Sequence, residues 1–168
     1  VFACIETTKT TWLYELVRQE NPEGIDKVDS YMVGLGERDM SEEEQLVHLR
    51  DYLMVEMLYQ TGMRRAELVG LKEVDVDTKQ RQVRVFGKRA KERIVPMGEA
   101  LCELIEEYRA KKREIQGECV GNGTFLVRKN RNGEWQTMDA HTLYNIVRAR
   151  MDEVSTLKKH SPHVLRHT

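Results

Sequence analysis

The sequence predicts a mostly α-helical domain with a small antiparallel β-sheet, an α+β fold. Three observations carry this. Apolar residues recur at helical spacing over 46–58, 101–115 and 143–147. Between the first two stretches, over 74–97, the period shortens to brief runs of valine and isoleucine broken by turn residues. The helical stretches also open on capping residues, Ser41 and Asp139 among them.

In chain order, residues 8–18 form a short amphipathic stretch with Trp12, Leu13, Leu16 and Val17 on adjoining positions. Residues 20–40 carry Pro22 and three glycines among many acids, which reads as a loop with at most a turn of helix. Ser41 with Glu44 three residues on is a capping box, and it opens a helix through about Gln60 whose inward stripe is Leu46, Leu49, Leu53, Met57 and Leu58. Gly62 suits the left-handed residue that ends it. A second, short helix follows, with Ala66, Leu68, Val69 and Leu71 partly buried. Val74, Val76, Val83, Val85, Ile94 and Val95 then mark two or three antiparallel strands, with turns at DTKQ and GKRAK. From Gly98 a helix resumes on Leu101, Leu104, Ile105, Tyr108 and Ile115. Residues 117–138 hold four glycines and one short extended run at Thr124–Val127. Asp139 caps a helix through about Val154 with Leu143, Ile146 and Val147 inward, and Ser161-Pro162 starts a last one.

Bulk properties narrow the class. The chain has 168 residues, 40% apolar and 33% charged, which fits one soluble globular domain. No apolar run approaches the roughly 20 residues that span a bilayer, and the N-terminal residues lack a signal-peptide pattern. Three cysteines without CxxC spacing read as reduced thiols of a cytoplasmic protein. The net charge of −1 hides an asymmetry: residues 1–60 hold 5 Lys+Arg against 13 Asp+Glu, residues 61–168 hold 22 against 15. The second part therefore has the charge for a phosphate-binding face, although an ordinary mixed surface gives the same count.

Three segments carry chemistry. In TGMRRAEL (61–68), Arg64 and Arg65 follow a helix break and can present a guanidinium to an anion beside backbone N–H groups. In VRVFGKRAKERIVPM (83–97), Lys88, Arg89, Lys91 and Arg93 crowd one hairpin turn with only Glu92 opposing them, a set suited to backbone phosphate. In SPHVLRHT (161–168), His163 and Arg166 stand three apart on one helical face, which suits proton transfer beside a stabilised oxyanion or phosphorane. His163 and His167 have i,i+4 spacing, but without the glutamate of HExxH or a third ligand no metal site is expected. Each segment alone fits a solvated or structural role better than a site.

Taken in order, the three segments resemble the catalytic signature of the tyrosine recombinase family, which includes phage integrases and Xer-type resolvases. The resemblance covers most of residues 46–168 and is closest over LYQTGMRRAELVGL, VFGKRAKERIVPM and SPHVLRHT. It implies the family's catalytic-domain fold and a role in DNA strand cleavage and rejoining through a 3′-phosphotyrosyl link. Arg64 and Arg166 would be the two phosphate-binding arginines. Lys88 would donate a proton to the leaving 5′ oxygen, with Lys91 the runner-up. His163 would assist proton transfer at the nucleophile. Arg65, Arg89, Lys91 and Arg93 would contact DNA. The implied partner is double-stranded DNA, bound by a homo-tetramer on paired sites when full length. No cofactor, membrane or small-molecule substrate is implied.

One departure bears on activity. The family places an LGH-like segment and then its nucleophilic tyrosine after the HxxR box, whereas all six tyrosines here precede His163. The expectation is a partial catalytic domain, with residues 1–40 as a lead-in and 41–168 as the catalytic core. The N-terminal core-binding domain and the C-terminal helices would be missing, leaving the fragment inactive by itself. A non-catalytic DNA-binding module derived from a recombinase and a type IB topoisomerase-like enzyme stay open as alternatives.

Overall fold

The computed structural model describes residues 41–87, 91–117 and 123–154, with the backbone alone over 150–154. The amphipathic stretch at 8–18, the loop at 20–40 and the helix expected at Ser161 lie outside the described residues.

Helix α1 (Glu42–Thr61) begins as the sequence dictates. Ser41 Oγ accepts from Glu44 N at 3.3 Å, and Glu44 Oε2 accepts from Ser41 N at 2.9 Å, closing the capping box. The Ser41 backbone N–H holds the Glu44 carboxyl below the ordinary carboxylate range. Gly62 ends the helix at φ 59°, donating its N–H to Leu58 O. The expected single stripe is too narrow, because every residue from Leu53 to Leu58 is buried. The reason is position: α1 is the central helix, packed against α2 (Arg65–Val69), α3 (Glu99–Gln116) and α4 (Ala140–Val154). In α2, Leu68 is buried and Val69 half-buried, whereas Ala66 faces solvent.

A 3₁₀ turn (Glu73–Asp75) leads into a three-stranded antiparallel sheet of order β1-β2-β3, formed by Val76–Asp77, Gln82–Phe86 and Glu92–Pro96. Val83 pairs with Val95 and Val85 with Arg93, so Val83 and Val85 turn inward with no exposed surface. Val74, expected on a strand, lies exposed in the 3₁₀ turn, and Ile94 is exposed on β3, since β-branched residues favour extended backbone whether or not they reach the core.

Helix α3 buries Leu101, Leu104, Ile105 and Tyr108, with Ile115 half-buried. Lys112, on the same face, donates to Glu73 Oε1 (2.8 Å), Thr124 O (2.6 Å) and Phe125 O (3.0 Å), so its buried ammonium is fully satisfied and ties two loops to the helix. The Tyr108 ring meets Phe125 edge-on at 5.7 Å.

Residues 117–138 hold more structure than the sequence suggested. The extended run starts at Val127 and pairs, as β4 (Val127–Lys129), with a strand β5 (Trp135–Thr137) that was not expected. Phe125, Leu126 and Val127 are all fully buried, so this run does not alternate and reads poorly as a strand. The connecting turn is an Asx motif: Asn130 Oδ1 accepts from Asn132 N and Glu134 N. Arg50 reaches from α1 to Val127 O at 3.2 Å while its Nε and Nη2 hold Asp51, which ties this hairpin to the central helix. Asp139 Oδ1 then accepts from His141 N and Thr142 N and caps α4, whose Leu143 and Val147 are fully buried. No helix among the described residues is long and apolar enough to cross a membrane.

Candidate active site

The site is built where α1 stops. Thr61 Oγ1 donates back to Met57 O at 2.5 Å, Gly62 reverses the chain, and Met63, 1% exposed, anchors the turn in the core. Arg64 comes next, at the N-cap of α2 with extended backbone, and its side chain is 56% exposed. A buried Met63 beside an exposed Arg64 fixes the origin of the arginine while leaving its head in solvent.

Glu67 holds that arginine. Its Oε2 accepts from Arg64 N at 2.7 Å and its Oε1 from Arg64 Nη1 at 3.1 Å. Among the described residues no other hydrogen-bond partner meets the Arg64 guanidinium. Glu67 is itself only 5% exposed at its side chain and is gripped from the sheet by Arg93, Nη1 to Oε1 at 3.0 Å and Nη2 to Oε2 at 2.8 Å. The Arg93 hydrogen bonds, aided by those of Arg64, outweigh burial and push the Glu67 carboxyl down to about 2. The carboxylate is therefore ionised throughout the physiological range.

The sheet brings its own cations to this corner. The hairpin base is closed by Gly87 N donating to Lys91 O at 2.8 Å, and Lys91 is exposed beside it. A Cβ on Gly87 would stand 3.5 Å from Glu67 Oε1, so the end of β2 abuts the carboxylate that orients Arg64. Thus the structure brings Arg64, Arg93 and the base of the basic hairpin together around one glutamate. Arg65 turns elsewhere, with its guanidinium 5.0 Å from the Tyr144 ring centre on α4. Lys88, Arg89, His163 and Arg166 lie outside the described residues. Among the described residues no cluster of three or more His, Cys, Asp or Glu is arranged to hold a metal.

Glu67 is the residue of this candidate site that the sequence reading did not single out. Its signal was present: it stands three positions after Arg64, the spacing of a capping glutamate. The long-range half of its role, the fork from Arg93, has no local signature. Of the tyrosines, Tyr108 is fully buried, donates its hydroxyl to Phe125 O at 3.1 Å, and is held protonated by burial. Tyr52 donates to Glu56 Oε1 at 3.1 Å.

The pattern of the phage integrase family matches residues 39–168. The tyrosine recombinase XerC of Pelobacter propionicus is 36% identical over 126 residues, which cover 75% of this chain and 39% of the relative. The tyrosine recombinase XerD of Vibrio cholerae is 39% identical over 122 residues, 72% of this chain and 39% of the relative. The crystal structure of XerA recombinase superposes with a TM-score of 0.61 at 28% identity, covering 76% of this chain and 47% of that one. The chain thus spans about two-fifths of the length of the curated relatives it matches. A family match over residues 39–168 and a shared fold lead to one conclusion: this chain belongs to the phage integrase family.

Proposed function

We propose that the protein carrying this chain is a tyrosine site-specific recombinase, and that residues 41–168 are the core of its catalytic domain. The observation that supports this best is the exposed Arg64, held at backbone and side chain by buried Glu67 beside the basic hairpin. An arginine fixed by a carboxylate yet open to solvent is suited to binding one phosphate in one orientation. XerC and XerD relatives at 36% and 39% identity carry the name tyrosine recombinase, which fits that use.

The chemistry is the one the family resemblance implies. A tyrosine hydroxyl attacks the scissile phosphodiester, the tyrosyl oxygen bonds to phosphorus, and the 5′ oxygen leaves. Arg64 and Arg166 neutralise the nonbridging oxygens as charge builds in the transition state. Lys88 protonates the leaving 5′ oxygen and His163 assists proton transfer at the nucleophile. The reverse step uses the 5′ hydroxyl of a partner strand, so rejoining conserves the bond energy. Buried, hydrogen-bonded Tyr108 is unsuited to be the nucleophile, and the family resemblance puts that tyrosine after the HxxR segment. Arg65, Arg89 and Lys91 contact backbone phosphate, double-stranded DNA is the partner, a homo-tetramer assembles on paired sites, and the protein works in the cytoplasm.

The test is trapping of a covalent complex. The complete reading frame that encodes this chain, incubated with nicked duplex so that the cleaved strand diffuses away, is expected to give a denaturant-stable protein–DNA adduct that Arg64→Ala abolishes. Salt-sensitive duplex binding without any adduct would make the protein a DNA-binding module instead.

A further inference from the structure

Arg93 stands on β3, 26 positions along the chain from Glu67, and spends both terminal nitrogens on that one carboxylate. The contacts form a two-point fork, 3.0 Å to Oε1 and 2.8 Å to Oε2. A planar guanidinium makes this fork and an ammonium does not. The same two oxygens hold Arg64, Oε2 at its backbone N–H and Oε1 at Nη1. Each oxygen of Glu67 is therefore shared between the strand and the exposed arginine.

The last torsion of a glutamate is broad, so a carboxylate facing Arg64 alone would rotate and carry the guanidinium with it. The fork removes that freedom. Gly87 closes a further side, since a Cβ there would stand 3.5 Å from Glu67 Oε1 and 3.8 Å from Arg93 Nη1. The carboxylate is thus fixed between β2, β3 and α2, and Arg64 inherits its orientation from its own helix and from two strands remote in sequence.

We propose that Arg93 is a positioning residue, which locks the Glu67 carboxylate to the sheet and through it sets the direction of the Arg64 guanidinium. This rests on the reading of Arg64 as a phosphate ligand given under Proposed function. With its fork occupied, Arg93 acts on the scissile phosphate at second hand and does not contribute to duplex affinity. A lysine at this position keeps the charge and loses the lock.

The experiment compares Arg93→Lys, Arg93→Ala, Glu67→Gln and the Arg93→Ala/Glu67→Gln pair in the complete reading frame. The probe is a nicked duplex whose sequence is first selected from a random library by binding to the wild-type protein. Single-turnover cleavage rate and duplex Kd are measured separately, the latter against salt. The expected result is a fall in cleavage rate of roughly ten- to a hundredfold for both Arg93 variants, with Kd and its salt dependence held within about twofold. Arg93→Ala adds no further loss on top of Glu67→Gln, because the two residues act as one unit. Three results overturn the proposal: wild-type cleavage by Arg93→Lys, a rate loss matched by lost affinity with a shallower salt slope, or independent losses that multiply in the pair. Arg93→Lys retains the charge and aliphatic stem, so it carries the same comparison if Arg93→Ala does not fold. A wild-type protein that forms no covalent adduct overturns the recombinase reading itself, a failure separate from these.

Discussion

Replacing Glu67 with glutamine tests whether the three-way grip is also a stabilising device with a defined pH signature. The folded-state carboxyl lies at about 2, against an ordinary value of 4.5. At about 1.4 kcal/mol per tenfold change in proton affinity, that difference corresponds to roughly 3 kcal/mol. Arg64 and Arg93 are 56% and 38% exposed at their side chains, so solvent screening lowers the expectation to about 2 kcal/mol. The sign follows from linkage. A carboxyl depressed by folding contributes fully above its unfolded value and loses that contribution as pH falls from about 5 toward 2. Urea unfolding of the wild-type and Glu67→Gln chains at about pH 7 and about pH 3 reads this directly, since the carboxyls common to both cancel in the comparison. Glu67→Gln should be less stable by about 2 kcal/mol at the higher pH, with the gap narrowed to well under half at the lower. An equal gap at both values would mean that the Glu67 charge is not what stabilises this corner, because a loss of packing alone does not depend on protonation.

Two further outcomes follow. Glu56, buried on α1, is pushed up to about 7 by burial against the opposing hydrogen bonds of Gln60 and Tyr52, so its effect has the opposite sign: stability falls as pH rises from about 4.5 through 7. Glu56→Gln should flatten that fall and gain roughly 1–2 kcal/mol above pH 7, allowing for one lost hydrogen bond, as measured by denaturation across the pH series. Tyr108→Phe should cost only about 1 kcal/mol in urea unfolding, because Phe125 O keeps its bond from Lys112, and it should leave covalent adduct formation unchanged. A loss of adduct with the fold intact would bring Tyr108 into the chemistry.

What could be read in advance depended on how local the cause was. The capping box at Ser41, the αL glycine at 62 and the Asp139 cap are short-range devices, and the helices they bound stand where the sequence put them. The valine runs that became β2 and β3 are set by alternation and by the turns beside them, again over a few residues. The continuous burial of 53–58 was not legible, because it reflects three helices closing around α1 and not the period of α1 itself. The β4–β5 hairpin was missed for a related reason. Its strands have three residues each, and Phe125–Val127 dive into the core without alternating. At the site, Arg64 was found as a residue type in a motif, whereas the means that orients it was not. Glu67 to Arg93 is a contact between a helix and a strand, and a sequence shows both charges without showing that they meet.

We propose that Arg64, as Glu67 holds it, binds the phosphate at which a tyrosine breaks and rejoins DNA. The most direct measurement is covalent trapping on nicked duplex by the complete reading frame, followed by proteolysis and mass mapping of the DNA-linked peptide. The expected result is an adduct through a 3′ phosphate on a tyrosine other than Tyr108, lost in Arg64→Ala while duplex binding persists. An adduct of undiminished yield in Arg64→Ala, or none from a wild-type protein that binds the duplex tightly, would contradict it.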